Sequence, residues 1–466
     1  MLPEPIRRFI FWAADQALWG PIQIGGYSFP SVLAMLLFGS GLFLTLRYRV
    51  VQVTCFREAV RAMIPRQSEQ AKGALTPFQA FMTALAASIG TGNIAGVATA
   101  VVSGGPGAVF WIWCYGFFAT SIKFTEAVLG IRYRVLGEGR LSAGPMHYLR
   151  DGLKLPALGW AYALIAGIAA LTTTPFTQPN SVAVVWQSEF GMPTWVSGAV
   201  IAVLTWLVVI GGIKAIGRAM EKLAPLKVFL YLAGGLIVIV THAHHIPDFL
   251  ALIFREAFSV GAVMGGTAGA GIMVAMRYGV ARGIYANEAG YGTAAVAYGT
   301  ARSDQPVQQG LNAVMEVFIV SFVTSSISAL TILLSGAWRS GLTSTAAVAA
   351  AFNSAMPTVG GWIVALCAFL FGYTTLIGWA YYGEQFLEHI LGPKVILPYR
   401  WIYCGLIVFG AVAKVDTVWA WGDLMNGLQI FPNLVGVIGL SGVVAAALRA
   451  WRRPGRPPAV GVGKAG

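Results

Sequence analysis

The chain has 466 residues, 57% of them hydrophobic and only 11% charged, with a mean hydropathy of +0.71 and a formal net charge of +13. A soluble domain keeps about 25% of its residues charged so that its surface stays wet; this chain cannot, so hydrocarbon must cover much of its outside. The basic excess falls in short segments between long apolar runs, which is the pattern of membrane loops and gives no nucleic-acid-binding face.

Residues 1–27 mix Arg7 and Arg8 with Phe9, Phe11, Trp12 and Trp19, without a clean apolar core or a small-x-small cleavage site. They predict an interfacial amphipathic helix. Beyond them, runs near 20 apolar residues without period-two alternation predict helices that cross a bilayer. Eleven spans are expected, at 28–47, 77–102, 106–130, 158–189, 194–212, 223–241, 248–285, 307–335, 360–390, 399–413 and 417–449. Alternating them puts 25 of the 31 Lys and Arg residues on one side, with 47–72, 131–154, 214–227 and the tail 450–466 as the main clusters. The positive-inside bias then places the C-terminus in the cytoplasm and the N-terminus outside, in a multi-pass protein of the cell (inner) membrane. The tail is basic and rich in Pro and Gly, and predicts no structure.

Two spans carry polar or glycine-rich interruptions. The run 77–102 is apolar up to Ser88-Ile89-Gly90-Thr91-Gly92-Asn93 and resumes at Ile94; the run 248–285 holds Gly261, Gly265, Gly266, Thr267, Gly269 and Gly271. Each Gly costs a helix interior about 1 kcal/mol against Ala, although small residues also serve close helix packing. Setting aside the helix at 28–47, ten spans remain, and an interrupted span opens each half: repeat one at 77–241 and repeat two at 248–449. Transporters built from inverted repeats bind substrate and ions where two such discontinuous helices meet. The third helix of the first half holds the polar run Thr172–Asn180, and that of the second holds Thr374-Thr375 and then Trp379. Two adjacent threonine hydroxyls can complete a sodium shell begun by backbone carbonyls, or simply bond back to the preceding turn. Trp379 either walls a small pocket or faces lipid and core.

The charges within spans need partners. Lys123 and Glu126, three apart on one helix, predict an ion pair; Glu316 and Glu384 are open candidates for proton coupling; Glu288 predicts a bond to Arg282 or to loop amides. The four cysteines are scattered and read as small buried hydrophobes, and His242, His244 and His245 as a solvated loop. With no HExxH helix and no Ser/Lys or Asp dyad in the bilayer, a membrane-embedded enzyme is not expected; two matched broken helices also argue against an open channel.

The stretch Ile89-Gly90-Thr91-Gly92-Asn93-Ile94-Ala95-Gly96-Val97-Ala98, followed by Gly104-Gly105-Pro106-Gly107-Ala108, resembles the strongest motif of the alanine/glycine:cation symporter family. Arg282-Gly283-Ile284-Tyr285-Ala286-Asn287-Glu288-Ala289-Gly290-Tyr291-Gly292 is similar to a second, and Lys123, Glu126 and Tyr133-Arg134 fit as well. The resemblance implies an all-α LeuT-like fold, a 5+5 inverted repeat plus one N-terminal helix, and sodium-driven uptake of alanine or glycine by alternating access. Carried over by position, Thr91, Gly92 and Asn93 would hold the substrate carboxylate, with Gln178, Asn287 and Trp379 around the amine and side chain. Thr374 and Thr375, with backbone carbonyls at Ala86 and Ile89, would bind sodium. The run Thr174–Pro179 is richer in proline than the family pattern, which bears on Gln178 and substrate preference. A proton-coupled transporter of the same fold is the alternative.

Overall fold

Backbone groups in hydrocarbon find partners most readily within their own helix, and helices carry nearly all of this chain. The computed structural model describes residues 4–24, 27–63, 72–137, 140–259 and 270–452. The principal helices are α1 (Glu4–Trp12), α2 (Val32–Arg47), α3 (Pro77–Ser88), α4 (Ala95–Gly104), α5 (Gly107–Arg132), α6 (Pro156–Thr172), α7 (Thr174–Phe190), α8 (Thr194–Val209) and α9 (Gly212–Thr241). They continue as α10 (Ile246–Ala257), α11 (Ala270–Asn287), α12 (Thr293–Gly299), α13 (Pro306–Leu334), α14 (Ser344–Ala355), α15 (Val359–Leu391), α16 (Ile396–Val412), α17 (Val415–Gly439) and α18 (Ser441–Trp451). Two short antiparallel hairpins, Ile22–Ile24 with Tyr27–Phe29 and Val135–Gly137 with Arg140–Ser142, are the described strands.

Among the described residues, five helical runs are long and apolar enough to cross a membrane alone, and seven if each sharply bent pair counts as one span. The shorter α2 and α8 lie where spans are expected but have 16 residues each. Outward-facing Phe229, Val240 and Phe409 are largely exposed. Apolar surface of that kind is stable only against lipid or a partner.

The structure departs from the sequence reading in four places. The run 248–285 is not a single span: α10 ends at Ala257, and α11 runs unbroken from Ala270 to Asn287. The glycine cluster at 261–269 lies outside the described residues. The N-terminal helix does more than lie at an interface, because Ile10, Ala13 and Ala14 bury against Ala420 and Leu424 of α17. Trp19 also donates its indole N–H to the Asp423 carbonyl at 3.2 Å. Two helices went unpredicted: α14 precedes the span at 359–391, and α12 is the short second half of a broken helix. Finally, α9 begins at Gly212, eleven residues before its expected start, and so takes in Lys214, Arg218, Lys222 and Lys227.

Small residues set the closest helix crossings. A Cβ on Gly410 of α16 would fall 2.2 Å from the Pro175 carbonyl oxygen of α7, whereas one on Gly405 would meet nothing within 4 Å. Gly410→Ala must therefore move backbone, at a cost of about 1–3 kcal/mol, and lowers the unfolding temperature of the detergent-solubilised protein. Gly405→Ala, one and a half turns earlier on the same helix, leaves that temperature unchanged or raised. Equal effects would refute the crossing as the constraint.

Candidate functional site

The first break follows from its sequence. Helix α3 starts with a reciprocal cap between Thr76 and Gln79 and a proline in its first turn. It ends at Ser88 because Gly90 is extended (φ −103°, ψ −168°). One 3-10 turn, Thr91–Asn93, then leads into α4, and the two halves are bent by 56°. Gly90 cannot be larger here: a Cβ would stand 2.6 Å from Thr375 Oγ1 and 3.0 Å from Gln178 Oε1.

Breaking a helix frees its last carbonyls, and each needs a donor in this dry interior. Ala87 O accepts from Thr375 Oγ1 at 2.8 Å, and Ser88 O from Asn93 Nδ2 at 3.1 Å. Ala86 O and Ile89 O accept from the ammonium of Lys227, at 2.8 and 2.5 Å, and Lys227 Nζ also donates to Thr374 Oγ1 at 2.5 Å. At the other side of the break, Gln178 Oε1 accepts from the Thr91 amide at 2.9 Å and the Thr91 hydroxyl at 3.0 Å.

A second break lies at 288–292, between α11 and α12. Glu288 (φ 57°), Gly290 (φ 99°) and Gly292 (φ 85°) all take left-handed backbone there. For glutamate this conformation is strained and persists only where its surroundings hold it. They do. Glu126 Oε1 accepts from the Gly290 and Gly292 amides at 2.9 and 3.1 Å, and Asn433 donates to Glu126 and to Gly290 O. Tyr115 and Tyr162 donate to Ala289 O and Tyr291 O. Lys123 Nζ donates to Asn287 O at 2.5 Å, to Ser88 Oγ at 2.9 Å and to Glu316 Oε1 at 2.6 Å, so one ammonium ties both breaks together.

These contacts correct the expected charge pairing. Lys123 pairs with Glu316, fully buried, and not with Glu126, which instead caps the amides of the second break. Glu316 also takes bonds from Ser88 and Tyr298. Glu384 is held by Arg400 through two bonds, at 2.7 and 2.9 Å. Arg282 pairs with Asp423, leaving Glu288 to accept from Trp379 Nε1 at 2.6 Å and Thr293 Oγ1 at 2.9 Å.

Between the breaks lies a cavity of about 10 Å³, room for about one water, so the walls must part before an amino acid can enter. Gly90, Gly92, Gln178, Thr375 and Trp379 line it, joined by Glu288, Tyr285, Tyr291 and Asn426. Of the expected substrate residues, Gly92, Gln178 and Trp379 therefore reach the cavity. Thr91 is held behind Gln178. Asn93 and Asn287 turn away toward α13, where Asn93 Oδ1 accepts from Ser325 at 3.3 Å and Asn287 Nδ2 donates to Ser321 at 3.1 Å. Both asparagines brace a break, because their amides match the orphaned backbone groups beside them.

Three of the four expected sodium ligands, Ala86, Ile89 and Thr374, do converge, but around an amine, while Thr375 donates to Ala87 O. Lys227 was read from the sequence as part of a basic loop. A signal was available: it is the only charged residue between Lys222 and His242. Met220, Ala224 and Tyr231, at helical spacing from it, are all buried.

The chain matches the sodium:alanine symporter family over residues 21–457. It is 38% identical to a sodium/alanine symporter of Methanococcus maripaludis, over 93% of this chain and 95% of that one. It is 31% identical to a putative sodium/proton-dependent alanine carrier protein of Bacillus subtilis, over 90% and 89% of the two chains, and 33% identical to a probable sodium/glutamine symporter of the same organism, over 97% and 92%. In fold it is similar to a manganese transporter of Eremococcus coleocola, with a TM-score of 0.52 at 14% identity over 81% of this chain and 82% of that one. Two broken helices around a small polar cavity, in a chain matched nearly end to end, thus have one family behind them: this protein belongs to the sodium:alanine symporter family.

Proposed function

We propose that the chain is a secondary active symporter that takes up a small neutral amino acid, alanine or glycine, together with a cation by alternating access. The observation that carries this reading is the cavity between the two breaks, with chemistry of opposite sign at its two ends. On one side the start of the second half-helix offers the Thr91 and Gly92 amides, where the helix dipole favours an anion. On the other stands the carboxylate of Glu288. A zwitterionic amino acid fits that polarity with its carboxylate at Gly92 and its ammonium toward Glu288. Gln178 Oε1 already accepts from the Thr91 amide, so it is the group a substrate carboxylate oxygen displaces. Trp379 and Tyr291 line the same space, so the side chain of a bound amino acid faces these two rings, which favours hydrogen or methyl.

The cation belongs, on this reading, at the oxygen cluster of Ala86, Ile89, Thr374 and Thr375. That cluster ties the end of α3 to α15, so whatever positive charge fills it links the first break to its neighbour. Sodium is the cation in the family's name. Proton coupling through Glu316 is disfavoured, since that carboxylate is locked between Lys123, Ser88 and Tyr298.

Titration of the purified protein with glycine, both alanine enantiomers, leucine and tryptophan tests the size limit. Saturable binding of alanine or glycine, with tryptophan at least about a hundredfold weaker, is expected; equal affinity for tryptophan would place the site elsewhere. Gly90→Ala presses a methyl onto Thr375 and Gln178, and overpacking of about 1–3 kcal/mol corresponds to roughly tenfold weaker binding or more. Gln178→Ala removes the side chain that competes for the Thr91 amide; alanine affinity is expected to change in this variant, and wild-type affinity would remove Gln178 from the site.

A further inference from the structure

Two lysines are buried among the described residues, and their surroundings differ in kind. Lys123 is paired with Glu316. Lys227, 0% exposed, meets only neutral oxygens, Ala86 O, Ile89 O and Thr374 Oγ1, with the Phe371 ring 5.1 Å away. Such a set of carbonyls and a hydroxyl is what a small monovalent cation would bind. The amine of α9 fills its centre. A sodium ion on the same oxygens would sit about 4 Å or less from the ammonium, and repulsion between unit charges at that range costs about a thousandfold in binding.

Three acceptors converge on Nζ, and only the protonated amine has three N–H donors. A neutral amine would direct its lone pair at one of those oxygens and loosen the link between α3, α9 and α15. The three bonds therefore call for the ammonium, and its fixed charge closes this junction, the task assigned to sodium on the reading above.

The helices packed against α9 add little competing charge. Helices α3, α8 and α14 and the 325–334 half of α13 contain no ionisable side chain. Helix α15 contributes Cys367 and Tyr373 and, farther along, its 381–389 end, where Arg400 holds Glu384. On α9 itself Glu221 accepts from Gln79, and Tyr231 bonds Ser328. Glu288 is the carboxylate whose field reaches Lys227.

We propose that the amine of Lys227 replaces sodium at this site, so that the chain transports its amino acid with no sodium ion on these oxygens. The proposal rests on the amino-acid transport reading but fails separately from it.

Two measurements test it. In the first, the unfolding temperature of purified wild-type protein is compared in sodium chloride and choline chloride without any amino acid. No difference is expected, and a saturable rise in sodium overturns the proposal whatever the substrate. In the second, wild-type proteoliposomes exchange labelled L-alanine at equal pH with either sodium chloride or choline chloride on both sides. Counterflow is expected in choline and unchanged within twofold by sodium; sodium-dependent counterflow overturns the proposal. Absence of alanine binding altogether would instead sink the substrate reading and leave the sodium comparison decisive.

Discussion

A helix broken in a dry interior leaves carbonyls and amides that water cannot reach, and the rest of this structure is arranged around that constraint. Each unpaired group would cost several kcal/mol in such surroundings. The two breaks together free about a dozen, and nearly every one has a named partner from another helix: Thr375 for Ala87, Lys227 for Ala86 and Ile89, Tyr115 and Tyr162 for Ala289 and Tyr291, Glu126 for the two glycine amides. The polar residues of the spans are there for this reason first. Their number follows from the backbone they serve.

The same constraint separates the charges into fixed and free. Glu126, Glu316 and Lys123 each bond at least three groups, and together they hold the ends of α3 and α11 against α5. Such a knot is costly to undo from one side only, since removing one member strands another. Lys227 touches no carboxylate, and one of the carbonyls it serves, Ala86 O, is also within reach of Thr374 and Thr375.

The helical bundle was legible because hydropathy is a sum over twenty residues and survives local exceptions. The first break was legible because Gly90 and Gly92 flank a polar residue inside such a sum. The glycine run expected to interrupt the span 248–285 lies, at 261–269, outside the described residues. The break at 288–292 is not legible, because it has only two glycines, and glycine density does not mark where polar backbone needs partners. Lys227 was hidden by its company: three basic residues precede it on the same helix, so charge counting swept it into a loop. Asn93 and Asn287 looked like ligands because an amide can serve a substrate or a broken backbone equally well, and sequence does not say which lies beside it.

On the proposed reading, the same geometry bears on substrate size. The cavity is bounded by backbone at Gly90 and Gly92, by rings at Tyr285, Tyr291 and Trp379, and by Thr375, whose hydroxyl is already committed to Ala87 O. Retreat of Thr375 would expose Ala87 O, a carbonyl freed by the first break. Trp379, the largest, is pinned through its indole to Glu288, which is itself held in a strained conformation by the second break. A larger side chain would have to move the tryptophan, hence the glutamate, hence the break. On the proposed reading, discrimination by size therefore rests on the pairing of the broken backbone as well as on the packing of the pocket.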